Sequence, residues 1–257
     1  MIKAKHIQMN NANYVAVCLY GGFKLWSNDG SRLIYQIPCK VKQLDKPYAF
    51  TAVMHYKYNN FDCIIASDNY GSTYLVSGSG LNWKSKLLYN YENGISTALA
   101  YYNDYIFISY ETGEIHVIRL KSESSIEICA KLDNPTGLPC LCLTVINKPQ
   151  PMLAGGYANG EIRVYNINND FNISFTIAAH LRMITSLASY DNYLISCGDD
   201  CYVNIWKCNE NIEIHKNIEI PDRMHVGVQV YSNNNKPELF ITSYDSSFFT
   251  YIDDFIN

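Results

Sequence analysis

The sequence predicts an all-β propeller of about six four-stranded blades, forming a single domain over residues 1–257, and leaves open how the ring closes. Three observations carry this expectation. A turn residue followed six positions later by a strand aromatic or aliphatic recurs at Tyr20/Trp26, Tyr70/Val76, Thr112/Ile118, Asn159/Tyr165, Asp200/Trp206 and Asp245/Tyr251. The steps between those turns are 50, 42, 47, 41 and 45 residues, close to the roughly 40–45 residues of one propeller blade. Strand-forming Tyr, Ile, Val and Thr are plentiful, and no long segment repeats with the period of a helix. Finally, residues 180–206 place His180 sixteen residues before Ser196, Asp200 four after it and Trp206 six further on. A loop histidine, a strand serine, a turn aspartate and a strand tryptophan at that spacing can pair as donors and acceptors inside one blade.

The blades follow in order. The first reads "KHIQM", "YVAVCLY", "FKLWS" and "RLIYQIP", with hairpin turns at Gly21-Gly22 and Asn28–Ser31. The second, entered through "CKVKQLDKPYA", reads "FTAVMHY", "CIIAS", "STYLVS" and "SKLLYNY". The third reads "STALAYY", "YIFISY", "EIHVIRL" and "IEICAKL"; the fourth reads "CLCLTVI", "PMLAGGY", "EIRVYNI" and "ISFTIAA". The fifth holds the His/Ser/Asp/Trp set and ends in "IEIHKNIEI". The sixth has only "HVGVQVY", "LFITSY" and "FFTYID", so 23 strands are expected and the missing one is the outermost of the last blade. "KHIQM" is expected as the inner strand of the first blade, which leaves that shortage unfilled. In the first four copies a glycine (Gly21, Gly71, Gly113 or Gly160) follows the turn residue and permits positive φ.

Composition narrows the function. The 257 residues are 48% apolar and 17% charged, enough to bury a sizeable core. A net charge of −4 argues against a general nucleic-acid or membrane-surface binder. The N-terminus lacks the apolar core of a signal peptide, and no run is long enough for a membrane span. Nine cysteines at irregular spacing suit a reducing compartment, so the chain reads as soluble and cytoplasmic. The "NIS" at Asn172 is then a chance match to a glycosylation acceptor.

Several residues invite chemical readings. His180, Ser196 and Asp200 could form a hydrolytic triad, but no "GxSxG" elbow surrounds Ser196 and the repeat frame ties all three to Trp206. The structural tetrad is the expected reading and a hydrolase the minor one. Cys140 and Cys142 share a strand face, and Cys197, Cys201 and Cys208 cluster in the fifth repeat. Without paired Cys-x-x-Cys units, they read as small hydrophobes rather than a zinc site. His6, His55, His116 and His215 fall in strands without a partnering motif. "AGGYANG" and "SGSG" are hairpin turns, since no helix follows to make a phosphate cradle. The pairs Lys3/Lys5, Lys40/Lys42 and Lys84/Lys86 read as solvated strand faces. No metal, cofactor or catalytic residue is expected.

The tetrad resembles that of the WD-repeat family, with Trp206-Lys207 where that family usually ends in Trp-Asp. "LAGGYANGEIRVYN", "AAHLRMITSLA", "LISCGDDCYVNIWK" and "FITSYD" are similar to consecutive stretches of the family of WD repeat-containing protein fifty-four. That likeness is clearest from about Leu138 to Phe255; the resemblance implies that the family's longer members carry one more blade before the point where this chain begins, so that the chain resembles a propeller lacking its first blade. The resemblance implies a non-enzymatic scaffold that binds other proteins. The alternative is a structural subunit of a larger cytoskeletal or ciliary assembly. Loops leading into a blade and turns between its second and third strands emerge on one face of a propeller. Tyr20, Tyr70, Arg182, Arg223, His225 and Tyr244 fall at such positions and are the expected partner-binding anchors, because aromatic and Arg side chains are enriched in interface hot spots.

Overall fold

The computed structural model describes residues 3–38, 47–59, 61–123, 125–233, 236–244, 246–253 and 255–256. Among them there is no helix, hence none long and apolar enough to cross a membrane. The strands are β1 (Lys3–Met9), β2 (Ala12–Leu19), β3 (Gly22–Ser27), β4 (Leu33–Pro38), β5 (Phe50–Tyr58), β6 (Phe61–Asp68), β7 (Ser72–Ser79) and β8 (Asn82–Asn90). They continue as β9 (Ser96–Tyr102), β10 (Tyr105–Tyr110), β11 (Ile115–Ser122), β12 (Ser125–Leu132), β13 (Cys140–Ile146), β14 (Met152–Tyr157), β15 (Glu161–Asn166) and β16 (Ile173–Ala178). The last are β17 (Ile184–Tyr190), β18 (Tyr193–Gly198), β19 (Tyr202–Cys208), β20 (Ile212–Glu219), β21 (His225–Asn233), β22 (Lys236–Ser243) and β23 (Phe249–Asp253).

These form five four-stranded antiparallel sheets and one three-stranded sheet, each a meander of consecutive strands, which are the blades of a β-propeller. β1 pairs with β2 as the first strand of blade 1, and among the described residues β21–β22–β23 form a three-stranded sheet. The Asp245 turn and the Lys40/Lys42 pair lie outside the described residues.

The chain divides into two compact units, residues 1–131 with blades 1–3 and residues 132–257 with blades 4–6. Within each unit, alternation along the strands sends one residue set to each sheet face, and neighbouring blades bury the facing sets. In the first unit Ala16, Phe23 and Leu25 of blade 1 pack with Phe50, Ile64 and Val76 of blade 2. Met54, Tyr56 and Leu75 of blade 2 pack with Ile106, Ile108 and Ile118 of blade 3. In the second unit Ala154, Ile162 and Val164 of blade 4 meet Leu187, Leu194 and Trp206 of blade 5. The opposite face of blade 5, with Ile195, Val203 and Ile205, meets Leu239 and Ile241 of blade 6.

A register shift recurs on third strands, at Leu25/Trp26, Val164/Tyr165 and Ile205/Trp206, just where the frame puts its aromatic. Such a bulge re-aims the ring without disturbing the rest of the ladder. The turn glycines have a specific reason to be glycine in two blades. Gly71 (φ +78°) and Gly160 (φ +83°) lie under the next connecting segment, where an added Cβ would fall 1.8 Å from the Tyr91 carbonyl oxygen or 2.0 Å from that of His180. In the fifth blade Cys201 takes this position with φ 71° although it carries a side chain.

Candidate functional site: the tetrad blade and its loops

Blade 5 brings the four distant residues together. His180 follows β16 and precedes β17, Ser196 lies on β18, Asp200 in the β18–β19 turn and Trp206 on β19. His180 Nδ1 is 2.9 and 3.1 Å from the two Asp200 carboxylate oxygens, and His180 Nε2 is 2.8 Å from Ser196 Oγ. The Trp206 indole N–H donates to the same Ser196 Oγ at 3.1 Å. One proton arrangement satisfies every group: Nδ1–H donates to the carboxylate and the serine O–H donates to Nε2. Asp200 also accepts from the backbone N–H groups of Leu181 at 2.9 Å and Tyr202 at 3.3 Å. The carboxylate thereby pins both the turn and the loop before β17.

The order Ser–His–Asp is that of a hydrolytic triad, yet the arrangement cannot act as one. Ser196 is fully buried and its oxygen already accepts the indole proton, so it faces no substrate. Gly198 is part of the reason the set fits, since a Cβ there would lie 2.9 Å from both His180 Nδ1 and Asp200 Oδ1. Asn204 steadies the loop from beneath by donating to the Ala179 carbonyl at 2.7 Å.

The other blades tie the same region with different chemistry. In blade 2, Tyr48 O–H donates to Asp68 at 3.0 Å, while Asp68 accepts from the N–H groups of Tyr70 and Ser72 at 2.9 Å each. Burial first, and then the Asp68 carboxylate, pushes the Tyr48 phenol far above its ordinary range. In blade 3, Tyr91 O–H donates to Glu114 at 2.7 Å and the buried His116 lies 2.8 Å from the Tyr89 hydroxyl. In blade 4, the Arg163 guanidinium donates to Asn134 at 2.5 Å and to Glu161 at 3.2 Å, and lies over the Tyr157 ring. Frames aligned on the turn do not reveal these networks, because their members sit at different offsets in each blade.

The expected anchors fall into three groups. Tyr20, Arg182, Arg223 and Tyr244 are exposed. Tyr70 is half-buried and stacks on Tyr48 with centroids 5.9 Å apart. His225 is a correction: it is fully buried, its Nδ1 is 3.3 Å from Ser243 Oγ, and burial lowers its pKa. Alternation on β21 turns its side chain inward, so it is no exposed anchor.

Exposed apolar side chains that sequence reasoning passed over stand beside the arginines of the second unit. Leu181 is 92% exposed, and Met183 and Met224 are also open to solvent. Their loops are held rather than loose. Asp199 N–H donates to the Met183 carbonyl at 3.3 Å, Tyr244 N–H to the Met224 carbonyl at 2.9 Å, and Thr185 Oγ1 to the His225 carbonyl at 2.7 Å. A leucine between the tetrad histidine and an arginine, in a loop pinned by a buried carboxylate, was the available signal. Among the described residues no group of three or more His, Cys, Asp or Glu is arranged to hold a metal ion.

Comparison with known proteins agrees with this architecture. The chain is similar to human WD repeat-containing protein 54, at 37% identity over 79 residues that make up 30% of this chain and 22% of that protein. The Mus musculus protein of the same name is 35% identical over 79 residues, with the same shares covered. The matched stretch therefore spans about a fifth of the length of these relatives. Among solved structures, BBS1N in complex with ARL6DN superposes with a TM-score of 0.69 at 13% identity, covering 94% of this chain and 75% of that one. A chain of the Mitotic Checkpoint Complex gives 0.69 at 15% identity, covering 95% and 77%. The β-propeller domain of Myceliophteria thermophila Cps50 (Swd1) gives 0.67 at 11%, covering 90% and 76%. Those structural likenesses establish the propeller fold. The family model WDR54 matches residues 105–248, more than half of the chain, and so the chain belongs to the WDR54 family.

Proposed function

We propose that this protein is a non-enzymatic, cytoplasmic interaction scaffold that holds another protein on the loop end of its second unit. One observation carries the reading. The tetrad and its backbone bonds hold Leu181 almost wholly in solvent, between a buried histidine and the exposed Arg182. Leaving a leucine so exposed on a fixed loop gains nothing for folding, whereas an apolar anchor beside a guanidinium is what a protein interface uses. Arg223, Met224 and Tyr244 extend the same loop end of blade 6, joined to it by the Tyr244–Met224 backbone bond. In the first unit Tyr20 and Tyr70 occupy the corresponding turns and are secondary candidates. The ARL6DN complex of the similar BBS1N propeller is consistent with a propeller serving as a protein-binding platform.

The test is affinity capture with the whole chain and with a Leu181→Ala/Arg182→Ala/Tyr244→Ala variant. None of these side chains belongs to the tetrad, so the variant should unfold at the wild-type temperature. It should lose specific partners, with each true anchor contributing at least ~2 kcal/mol of binding. Undiminished capture by the folded variant would overturn the placement.

A further inference from the structure

The chain holds two Asn–Gly pairs, Asn93-Gly94 and Asn159-Gly160, and both asparagines are exposed in turns. An asparagine before glycine has a reactive option, because no Cβ shields the next backbone nitrogen from the side-chain amide. The fold makes the two pairs unequal. Asn159 is held: its Oδ1 accepts from Glu161 N–H at 3.2 Å, and Gly160 N–H donates to the Tyr157 carbonyl at 3.1 Å. The Gly160 carbonyl accepts from the N–H groups of Ala179 and His180 at 3.0 Å each, so this peptide cannot turn without breaking the entry to blade 5.

Asn93 lacks these restraints. It stands with Glu92 in the turn joining β8 of blade 2 to β9 of blade 3, and its side chain makes no hydrogen bond among the described residues. The Gly94 N–H reaches the Tyr91 carbonyl only at 3.4 Å, beyond the usual N–H···O range. The residues around this turn are nevertheless closely placed. Tyr91 N–H donates to the Gly71 carbonyl of blade 2 at 3.0 Å, its ring meets Tyr110 of blade 3 edge-on at 4.8 Å, and its O–H donates to Glu114 at 2.7 Å. Gly94 is buried, and a Cβ there would lie 3.1 Å from the Tyr91 ring and 3.2 Å from that of Tyr110. Beyond it, the Glu111 carboxylate accepts from Ile95 N–H at 3.4 Å, and Glu111 N–H donates to the Ile95 carbonyl at 2.9 Å.

From this contrast we propose that Asn93 is a site of spontaneous modification whose product loosens the joint between blades 2 and 3. The Gly94 nitrogen attacks the side-chain carbonyl carbon of Asn93. The new C–N bond closes a five-membered succinimide, and the Asn93 amide nitrogen leaves as ammonia with the proton lost from Gly94 N–H. Water then opens the ring: cleavage on the side-chain side gives aspartate, and cleavage on the main-chain side gives isoaspartate. Nothing is oxidised or reduced, and water is the only co-reactant. Either product adds a carboxylate beside Glu92. Isoaspartate also lengthens the main chain by one carbon ahead of Gly94, for which the Tyr91 and Tyr110 rings leave no room, so the turn loses its hold on blade 3.

Peptide mapping by mass spectrometry of the purified whole chain, incubated at mildly alkaline pH, tests this. Native Asn93 should convert at least about tenfold faster than native Asn159, whose clamping bonds must break before the Gly160 nitrogen can attack. In denaturant the two rates should converge, because only the fold separates them. Asn93→Gln should stop conversion at this position, and freshly prepared Asn93→Asp supplies the added charge alone. Chain carrying isoaspartate should unfold at a lower temperature than Asn93→Asp, which should itself lie close to fresh wild type. An Asn93 still intact after long incubation would overturn the proposal, as would an Asn159 that keeps pace with it in the folded chain. Isoaspartate-bearing chain as stable as Asn93→Asp would refute the loosening of the joint.

Discussion

Replacing Asp200 by alanine removes the acceptor on which the organising blade depends, and the structure indicates the cost. The carboxylate accepts from His180 Nδ1, Leu181 N–H and Tyr202 N–H. Leu181 is exposed and Tyr202 half-exposed, so water replaces the lost acceptor there at little net cost. The His180 side chain is 0% exposed, so its Nδ1–H is left without a partner and bears the desolvation cost of a buried donor, about 1–3 kcal/mol. Losing two further charge-assisted bonds to the loop and turn adds about 1 kcal/mol, for a total of about 2–4 kcal/mol. Trp206→Phe removes one donor from a serine oxygen that keeps its histidine partner, and should cost less, about 1–2 kcal/mol. Asp200→Asn keeps an acceptor for Nδ1–H and should fall between wild type and Asp200→Ala. Chemical denaturation followed by near-ultraviolet circular dichroism measures all three. If Asp200→Ala lies within about 0.5 kcal/mol of wild type, or if Trp206→Phe costs more than Asp200→Ala, the reasoning fails.

Gly160→Ala should destabilise by well over the roughly 1 kcal/mol of a positive-φ strain, because its Cβ would fall 2.0 Å from a backbone oxygen; Gly21→Ala, with open space around it, should show the strain cost alone when their denaturation midpoints are compared. Burial pushes the thiols of Cys18, Cys63 and Cys197 up to about 12 from an ordinary 9.0. The unfolded chain therefore releases these protons first, and stability should be whole below pH 9 and fall as pH rises toward about 12, a slope that Cys197→Ala should reduce in alkaline denaturation curves. His225→Ala should lower the unfolding midpoint by leaving a cavity and stripping Ser243 of its contact, yet leave partner capture intact at matched folded concentration; lost capture would restore His225 as a contact residue.

How the molecule divides between sequence and structure follows from what each kind of signal contains. The turn period and strand alternation are local, so blade number and strand order could be read directly from residues such as Gly71, Gly113 and Gly160. The tetrad was legible as well, since His180, Ser196, Asp200 and Trp206 keep a spacing set by one blade's geometry. Alternation says which residues share a face but not whether anything covers that face. His225 and Tyr244 both fall at blade-end positions, yet His225 turns inward against Ser243 while Tyr244 is 75% exposed. The replacements for the tetrad in blades 2–4 escaped for a related reason: Arg163–Asn134 and Tyr48–Asp68 join residues whose separations depend on loop path. Only the tertiary structure distinguishes the buried Leu239 from the exposed Tyr251 on neighbouring strands, because burial is decided by the next sheet rather than by the strand's own residues.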